Sequence, residues 1–220
     1  TDMAVALSKK AKAIGADGLM LTPPHYALPN EREVFEHFQE VSSQVDLPIL
    51  VYNNPGRVGI SIPATSLAKI AKIENVVAVK ESSKDFSDFV ATLRLCRNEV
   101  KIFDGLSMIR GFPTAVMGAD GFVSSVDSPV MGKEAVDFYE VCTSGDNEAA
   151  QKLQFKLLGL EALAARGIGT FPASVKAAMN LLGRPGGYPR KPILPLTKEE
   201  VSQLEVILEN VGLMEPTASR

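Results

Sequence analysis

Cysteine, long apolar runs and surplus positive charge are all scarce in this chain. The two cysteines, Cys96 and Cys142, stand far apart and in no CxxC or His-paired pattern. That spacing argues against a zinc site or a disulfide framework, and predicts two buried or half-buried thiols in a reducing cytoplasm. No apolar run approaches the roughly 20 residues of a membrane span. The opening residues, TDMAVALSKKAKAIGADG, lack a basic lead followed by an apolar core, so no secretory signal is expected. Lys and Arg number 23 against 26 Asp and Glu, a net charge of -3, and no face is loaded with cations. Nucleic acid is therefore a poor candidate for a partner. No glycine-rich phosphate loop follows a strand, and no internal repeat or low-complexity tract occurs.

What is present is an ordinary globular composition. The 220 residues are 45% hydrophobic and 22% charged, enough for one sizeable core. Short apolar runs alternate with amphipathic stretches. Thr1 and Asp2 read as an N-cap and a first-turn acid of a helix ending near Ile14 and Gly15. Strands are predicted at Gly18–Thr22, Pro48–Asn53, Val76–Lys80, Lys101–Asp104 and Gly121–Val126. Helices are predicted at Asn30–Val45, Pro63–Ile73, Asp85–Cys96 and Met108–Met117. Four more follow at Pro129–Thr143, Asn147–Ala165, Pro172–Leu182 and Lys198–Val211, and Glu215–Arg220 reads as a frayed tail. His37 is expected on a solvated helix face. Strands this rich in Val, Ile, Leu and Phe are buried on both faces, as in a parallel sheet. The alternation fits a doubly wound sheet or a (β/α)8 barrel. Polar residues gather at strand C-terminal ends: Tyr52 and Asn53, Lys80 and Glu81, Asp104, Ser124 and Ser125. In a barrel those ends share one mouth, where active sites lie.

Lys80 is the sharpest feature. It closes the run VVAV. Burial strips water from an ammonium and favours the neutral amine, and a neutral amine attacks a carbonyl to give a Schiff base. The plainer reading is a lysine paired with a carboxylate or snorkelling to the rim. Tyr52 closes the preceding strand and reads either as a proton relay or as a packed barrel tyrosine. Pro55-Gly56 is expected to form a tight turn aiming Arg57 back at the mouth, where a guanidinium suits a carboxylate. A surface arginine is the alternative. His25 and Tyr26, in a Pro-rich loop, read as active-site or interface residues. Asp104 with Gly105, and Gly121 with Ser124 and Ser125, are weaker candidates for the pocket lining.

The motifs YNNPGRVG (52–59) and VVAVKESS (76–83) together resemble the dihydrodipicolinate synthase and N-acetylneuraminate lyase family of class I aldolases. TPPHY (22–26) resembles that family's TPYY element, and GADGFVSSV (118–126) its glycine-led pocket strand. VKAAMNLLG, KPILPL and GLM resemble its C-terminal helical extension. The resemblance implies a TIM (β/α)8 barrel over residues 1–145 and a helical extension over 146–220. It implies Lys80 as Schiff-base lysine, Tyr52 as proton relay, and Tyr26, or His25 under another alignment, as the residue lent by a neighbouring subunit. Arg57 would bind the second substrate's carboxylate, Asn53 would contribute to substrate binding, and Val123 would pack near the pyruvate site. No dissociable cofactor and no metal are implied, since the covalent chemistry sits on Lys80. The expected partners are a small 2-keto acid and further copies of the chain, a dimer of dimers, with no nucleic acid or membrane and a cytoplasmic location.

Three features depart from the family pattern. Its GTTGE loop would lie upstream of Thr1, so the chain reads as starting at the third barrel helix with the first strands outside it. The usual NPxPVK element reads GTFPASVK (169–176), and the GDD-like turn reads DGL (104–106). The leading expectation is condensation of pyruvate with aspartate semialdehyde, favoured by Arg57. A dehydratase, deaminase or aldolase of a keto-deoxy sugar acid, and a catalytically inert family member or fragment, are the alternatives.

Overall fold

A computed structural model describes residues 1–164 and 167–216. They fall into two compact units. The first comprises Thr1–Leu106 with Met117–Val123; the second comprises Ser107–Val116 and the described residues from Ser124 onward.

The first unit runs α1 (Asp2–Ala13), β1 (Leu19–Leu21), α2 (Glu31–Gln44), β2 (Ile49–Asn53), α3 (Pro55–Val58), α4 (Ala64–Ile70), β3 (Val76–Glu81), α5 (Phe86–Cys96), β4 (Lys101–Asp104) and β5 (Gly121–Phe122). All the strands are parallel, in the order β1-β2-β3-β4-β5. A doubly wound sheet reverses direction at a switch point. Monotonic order means that each connection among these strands steps the same way, with no switch point among the described strands. The helix-facing residues Ile49, Val51, Val79 and Ile102 pack with Phe38, Val41, Leu67, Ile70, Phe89 and Leu93 in one core. Each of these side chains is at most 3% exposed. Register slips by one residue at Val77, between the pairs Ile49–Val76 and Leu50–Ala78, and Val77 is left 47% exposed.

Local chemistry explains the boundaries. Asn30 caps α2 by accepting from Glu33 N while Glu33 accepts from Asn30 N, a reciprocal capping box. Asp85 caps α5 by accepting from Ser87 N at 2.8 Å. Thr1 makes no such cap; its Oγ1 instead lies 3.1 Å from His37 Nδ1. His37 is therefore not solvated as expected, and only 5% of it is exposed. Pro55-Gly56 does not make a tight turn. Pro55 opens the one-turn helix α3, which stops at Gly59 with φ 84°.

Burial lowers the His37 pKa from 6.5 to about 4. The unfolded chain thus takes up this proton first. Stability from neutral His37 is full above pH 6.5 and is lost as pH falls toward 4, on the order of 1 kcal/mol per pH unit. Urea titrations at pH 7 and pH 4.5 should show a larger drop in midpoint for the parent than for His37→Gln. Equal drops would mean that the ring carries no such linkage.

The second unit is helical: α6 (Ser107–Val116), α7 (Asp127–Met131), α8 (Lys133–Ser144), α9 (Asn147–Leu158), α10 (Glu161–Ala164), α11 (Ala173–Leu181) and α12 (Lys198–Asn210). Pro113 breaks the ladder of α6, and Arg110 one turn earlier leaves helical geometry at φ -140°. Gln154 of α9 serves the backbone groups around that kink. Its amide donates to the carbonyls of Met108 at 2.7 Å and Ser107 at 3.3 Å, and its oxygen accepts from Phe112 N at 2.9 Å. The expected helix over 129–143 is two helices, split at Gly132, and the expected helix over 147–165 ends at Leu158. Ala165, and the tail from Thr217, lie outside the described residues. The strand expected through Val126 is short: β5 holds only Gly121 and Phe122. Phe138, Leu157, Leu160, Leu163, Leu204 and Leu208 are fully buried within this unit. Both cysteines are free and buried, as the spacing predicted. Among the described residues, no helix is long and apolar enough to cross a membrane.

Candidate active site

Parallel pairing lays Tyr52, Lys80, Phe103 and Gly121 along one rung of the sheet, each the register partner of the next. Alternation places the next rung, Asn53, Glu81, Asp104 and Phe122, on the opposite face. One face thus carries an amine and a phenol. The other carries a buried polar network.

Lys80 is 8% exposed, and its Nζ lies 4.0 Å from the centroid of the Tyr52 ring. Tyr52 is oriented in turn by Asn54, whose Nδ2 donates to the phenol oxygen at 2.7 Å. That oxygen accepts from Asn54, so its own proton is free to point elsewhere. An amine, a phenol and an amide that orients the phenol therefore stand together on β3, on β2 and at the residue before α3.

Behind them, Glu81 is fully buried. Its Oε1 accepts from Ser83 N at 2.6 Å and its Oε2 from Asn53 Nδ2 at 2.7 Å. Asn53 also holds both backbone groups of Ile62, donating to the carbonyl at 3.2 Å and accepting from the N–H at 3.0 Å. Both polar ends of the Asn53 amide are engaged, so the side chain clamps the 54–62 loop to the sheet. Burial first, and then the Glu81 charge, push the Cys96 thiol up to about 11. Asp104, also fully buried, accepts from Leu106 N at 2.8 Å and so shapes the turn after β4.

Two residues matter more here than their types suggested. Gly105 donates its N–H to the Glu81 carbonyl at 2.9 Å, and a Cβ there would meet Ser82 Oγ at 1.9 Å and Lys80 Cε at 2.8 Å. Only glycine leaves the lysine stem that room. Ser82 is 7% exposed and its hydroxyl has no hydrogen-bond partner among the described residues. A glycine directly after a strand end was the visible signal for the first. A serine two residues past the lysine, hence on the same strand face, was the signal for the second.

The remaining candidates differ in burial. Arg57 lies exposed on α3. Val123 is half-buried and donates its N–H to the Asp104 carbonyl at 3.0 Å. His25 is exposed, and Tyr26 is 96% exposed with φ 71°. A left-handed backbone at a bulky aromatic is uncommon and costs on the order of 1–3 kcal/mol. Ser124 and Ser125 belong to the second unit.

Known proteins resemble this chain along nearly its whole length. Residues 1–211 match the dihydrodipicolinate synthetase family. A 4-hydroxy-tetrahydrodipicolinate synthase from Heliobacterium modesticaldum is 35% identical over 213 residues, 97% of this chain and 70% of that protein. The crystal structure of dihydrodipicolinate synthase from Thermotoga maritima is 32% identical and superposes with a TM-score of 0.86, covering 96% of this chain and 71% of that one. A dihydrodipicolinate synthase from Acinetobacter baumannii, solved with pyruvate, is 26% identical with a TM-score of 0.86, covering the same shares. The chain belongs to the dihydrodipicolinate synthetase family.

Proposed function

We propose that this chain is a Schiff-base-forming lyase that joins pyruvate to aspartate semialdehyde, as a 4-hydroxy-tetrahydrodipicolinate synthase does. The observation that carries the reading is the buried Lys80 amine directly across the rung from Tyr52, 4.0 Å from its ring. The neutral amine adds to C2 of the 2-keto acid, and the amine proton passes to the carbonyl oxygen. That oxygen then leaves as water with a second proton, which the Tyr52 phenol supplies, and the iminium forms. The Tyr52 phenolate takes a proton from C3 to give the enamine, C3 bonds to the aldehyde carbon of the second substrate as the phenol returns that proton to the aldehyde oxygen, and the second substrate's own amine then displaces Lys80 from C2 and frees the product. Arg57 receives that substrate's carboxylate as a bidentate partner, and Val123 packs beside the keto acid. The reaction proceeds on the lysine itself and calls for no dissociable cofactor.

The same reading assigns residues 1–145 to a (β/α)8 barrel and 146–220 to its helical extension, because every strand lies in the former and α9–α12 in the latter. Same-direction stepping of five parallel strands supports the barrel. Tyr26, exposed and held with positive φ, is suited to reach a neighbouring copy's site, which supports a homo-oligomer. Its high exposure is what favours it over a residue serving its own chain.

Borohydride reduction tests the reading. Protein incubated with pyruvate should gain one reduced pyruvyl group, located by peptide mass at Lys80. Labelling at another lysine, or none, would overturn it.

A further inference from the structure

Ser82 is the one buried hydroxyl beside Lys80 that makes no hydrogen bond among the described residues. It follows Lys80 by two positions, so an extended backbone points both side chains to the same face. Its N–H still donates to the Asn53 carbonyl at 2.9 Å, carrying the β2–β3 ladder one residue past the strand. Gly105 on the neighbouring strand end fixes the geometry. Ser82 Oγ and Lys80 Cε both lie within 3 Å of the place that a Gly105 side chain would fill. The hydroxyl therefore flanks the methylene that bears Nζ, and the first atoms joined to Nζ come within its reach.

An unpaired buried hydroxyl costs a fold stability, whereas alanine in its place would cost nothing. Such a group calls for an explanation. We propose that Ser82 holds the C2 oxygen of the adduct that a 2-keto acid forms on Lys80, donating to that oxygen in the carbinolamine. When Nζ bonds to C2, the former carbonyl oxygen sits two bonds from Nζ, closer than either carboxylate oxygen. The Ser82 proton stays on serine throughout. The oxygen, held in place, takes its departing proton from Tyr52 and leaves as water. Ser82 is thus a binding residue for the tetrahedral intermediate, and it speeds both its formation and its dehydration.

This inference rests on the Schiff-base reading, and one set of measurements separates the two. Imine formation is followed by borohydride quench and mass at Lys80, with pyruvate as the probe, in the parent, Ser82→Cys and Ser82→Ala. The expected rates fall in that order, with Ser82→Ala slower by about 10- to 100-fold, the effect of one hydrogen bond to a group bearing charge. Ser82→Ala is expected to melt at the same or a higher temperature, since it removes an unsatisfied buried group. A structural role would instead lower the melting temperature, so a Ser82→Ala that melts lower or fails to fold overturns the proposal. Equal rates of trapping in the parent and Ser82→Ala overturn it while leaving the Schiff-base reading intact. No trapping in the parent overturns both.

Discussion

With Lys80 replaced by methionine, borohydride should trap no pyruvate, and turnover should fall at least about 10,000-fold. Methionine keeps the unbranched stem that fits against Gly105 and removes only the amine. The fold should survive. Exchanging a buried charge for an apolar group of similar volume is often neutral or stabilising. The contact of Nζ with the Tyr52 ring, 4.0 Å from its centroid, offsets part of that gain, roughly 1–2 kcal/mol. The melting temperature should therefore stay close to the parent's while activity vanishes. Lys80→Arg sharpens the test. It restores a cation over the ring, yet a guanidinium stays protonated and does not add to a carbonyl. Activity recovered by arginine would mean that charge, and not nucleophilicity, is what position 80 supplies.

Much of this site was legible before any coordinates. A lysine ending a run of valines, one strand after a tyrosine ending another, is a pattern that period-two alternation and parallel pairing place on one rung. The structure does pair Tyr52 with Lys80. Strand and helix order was equally readable, because buried parallel strands are nearly unbroken apolar runs. What failed was local and tertiary. Pro55-Gly56 carries turn propensity, but proline is also the preferred first residue of a helix, and α3 took that form. His37 looked solvated because its sequence neighbours Glu36, Gln39 and Glu40 are polar, yet α1 supplies Thr1 against its ring. The bonds of the Asn53 amide to Ile62 and Glu81 reach partners 9 and 28 residues away that no spacing rule announces. Gly105 was legible only as a candidate for the pocket lining and Ser82 carried no role, since a close approach between neighbouring strands exists only once the register is set.

Asn53→Ala should be as damaging to the fold as Lys80→Met is to the chemistry. The side chain is 1% exposed and satisfies three groups: the Ile62 N–H, the Ile62 carbonyl and the Glu81 carboxylate. Truncation leaves all three short of a partner in a buried place. Each costs about 1–3 kcal/mol, more for the carboxylate, and shared relaxation keeps the sum below simple addition. A loss of about 3–5 kcal/mol is expected, a large share of the 5–15 kcal/mol typical of a whole domain. Urea unfolding should show the midpoint falling by that amount at an unchanged slope. Asn53→Asp should fare no better, because it sets a second carboxylate where the amide now lies 2.7 Å from Glu81. The double variant Asn53→Ala, Glu81→Gln should recover part of the loss, since a neutral amide loses less than a buried carboxylate does when one hydrogen bond is removed. The clamp also fixes the segment carrying Asn54, which orients Tyr52, and Arg57. Any Asn53→Ala protein that remains folded in the cold should therefore form the Lys80 adduct more slowly than the parent. A stability loss below about 1 kcal/mol, the slope multiplied by the midpoint shift, would mean that the Asn53–Glu81–Ile62 network does not hold this loop, because even one unsatisfied buried group would cost that much.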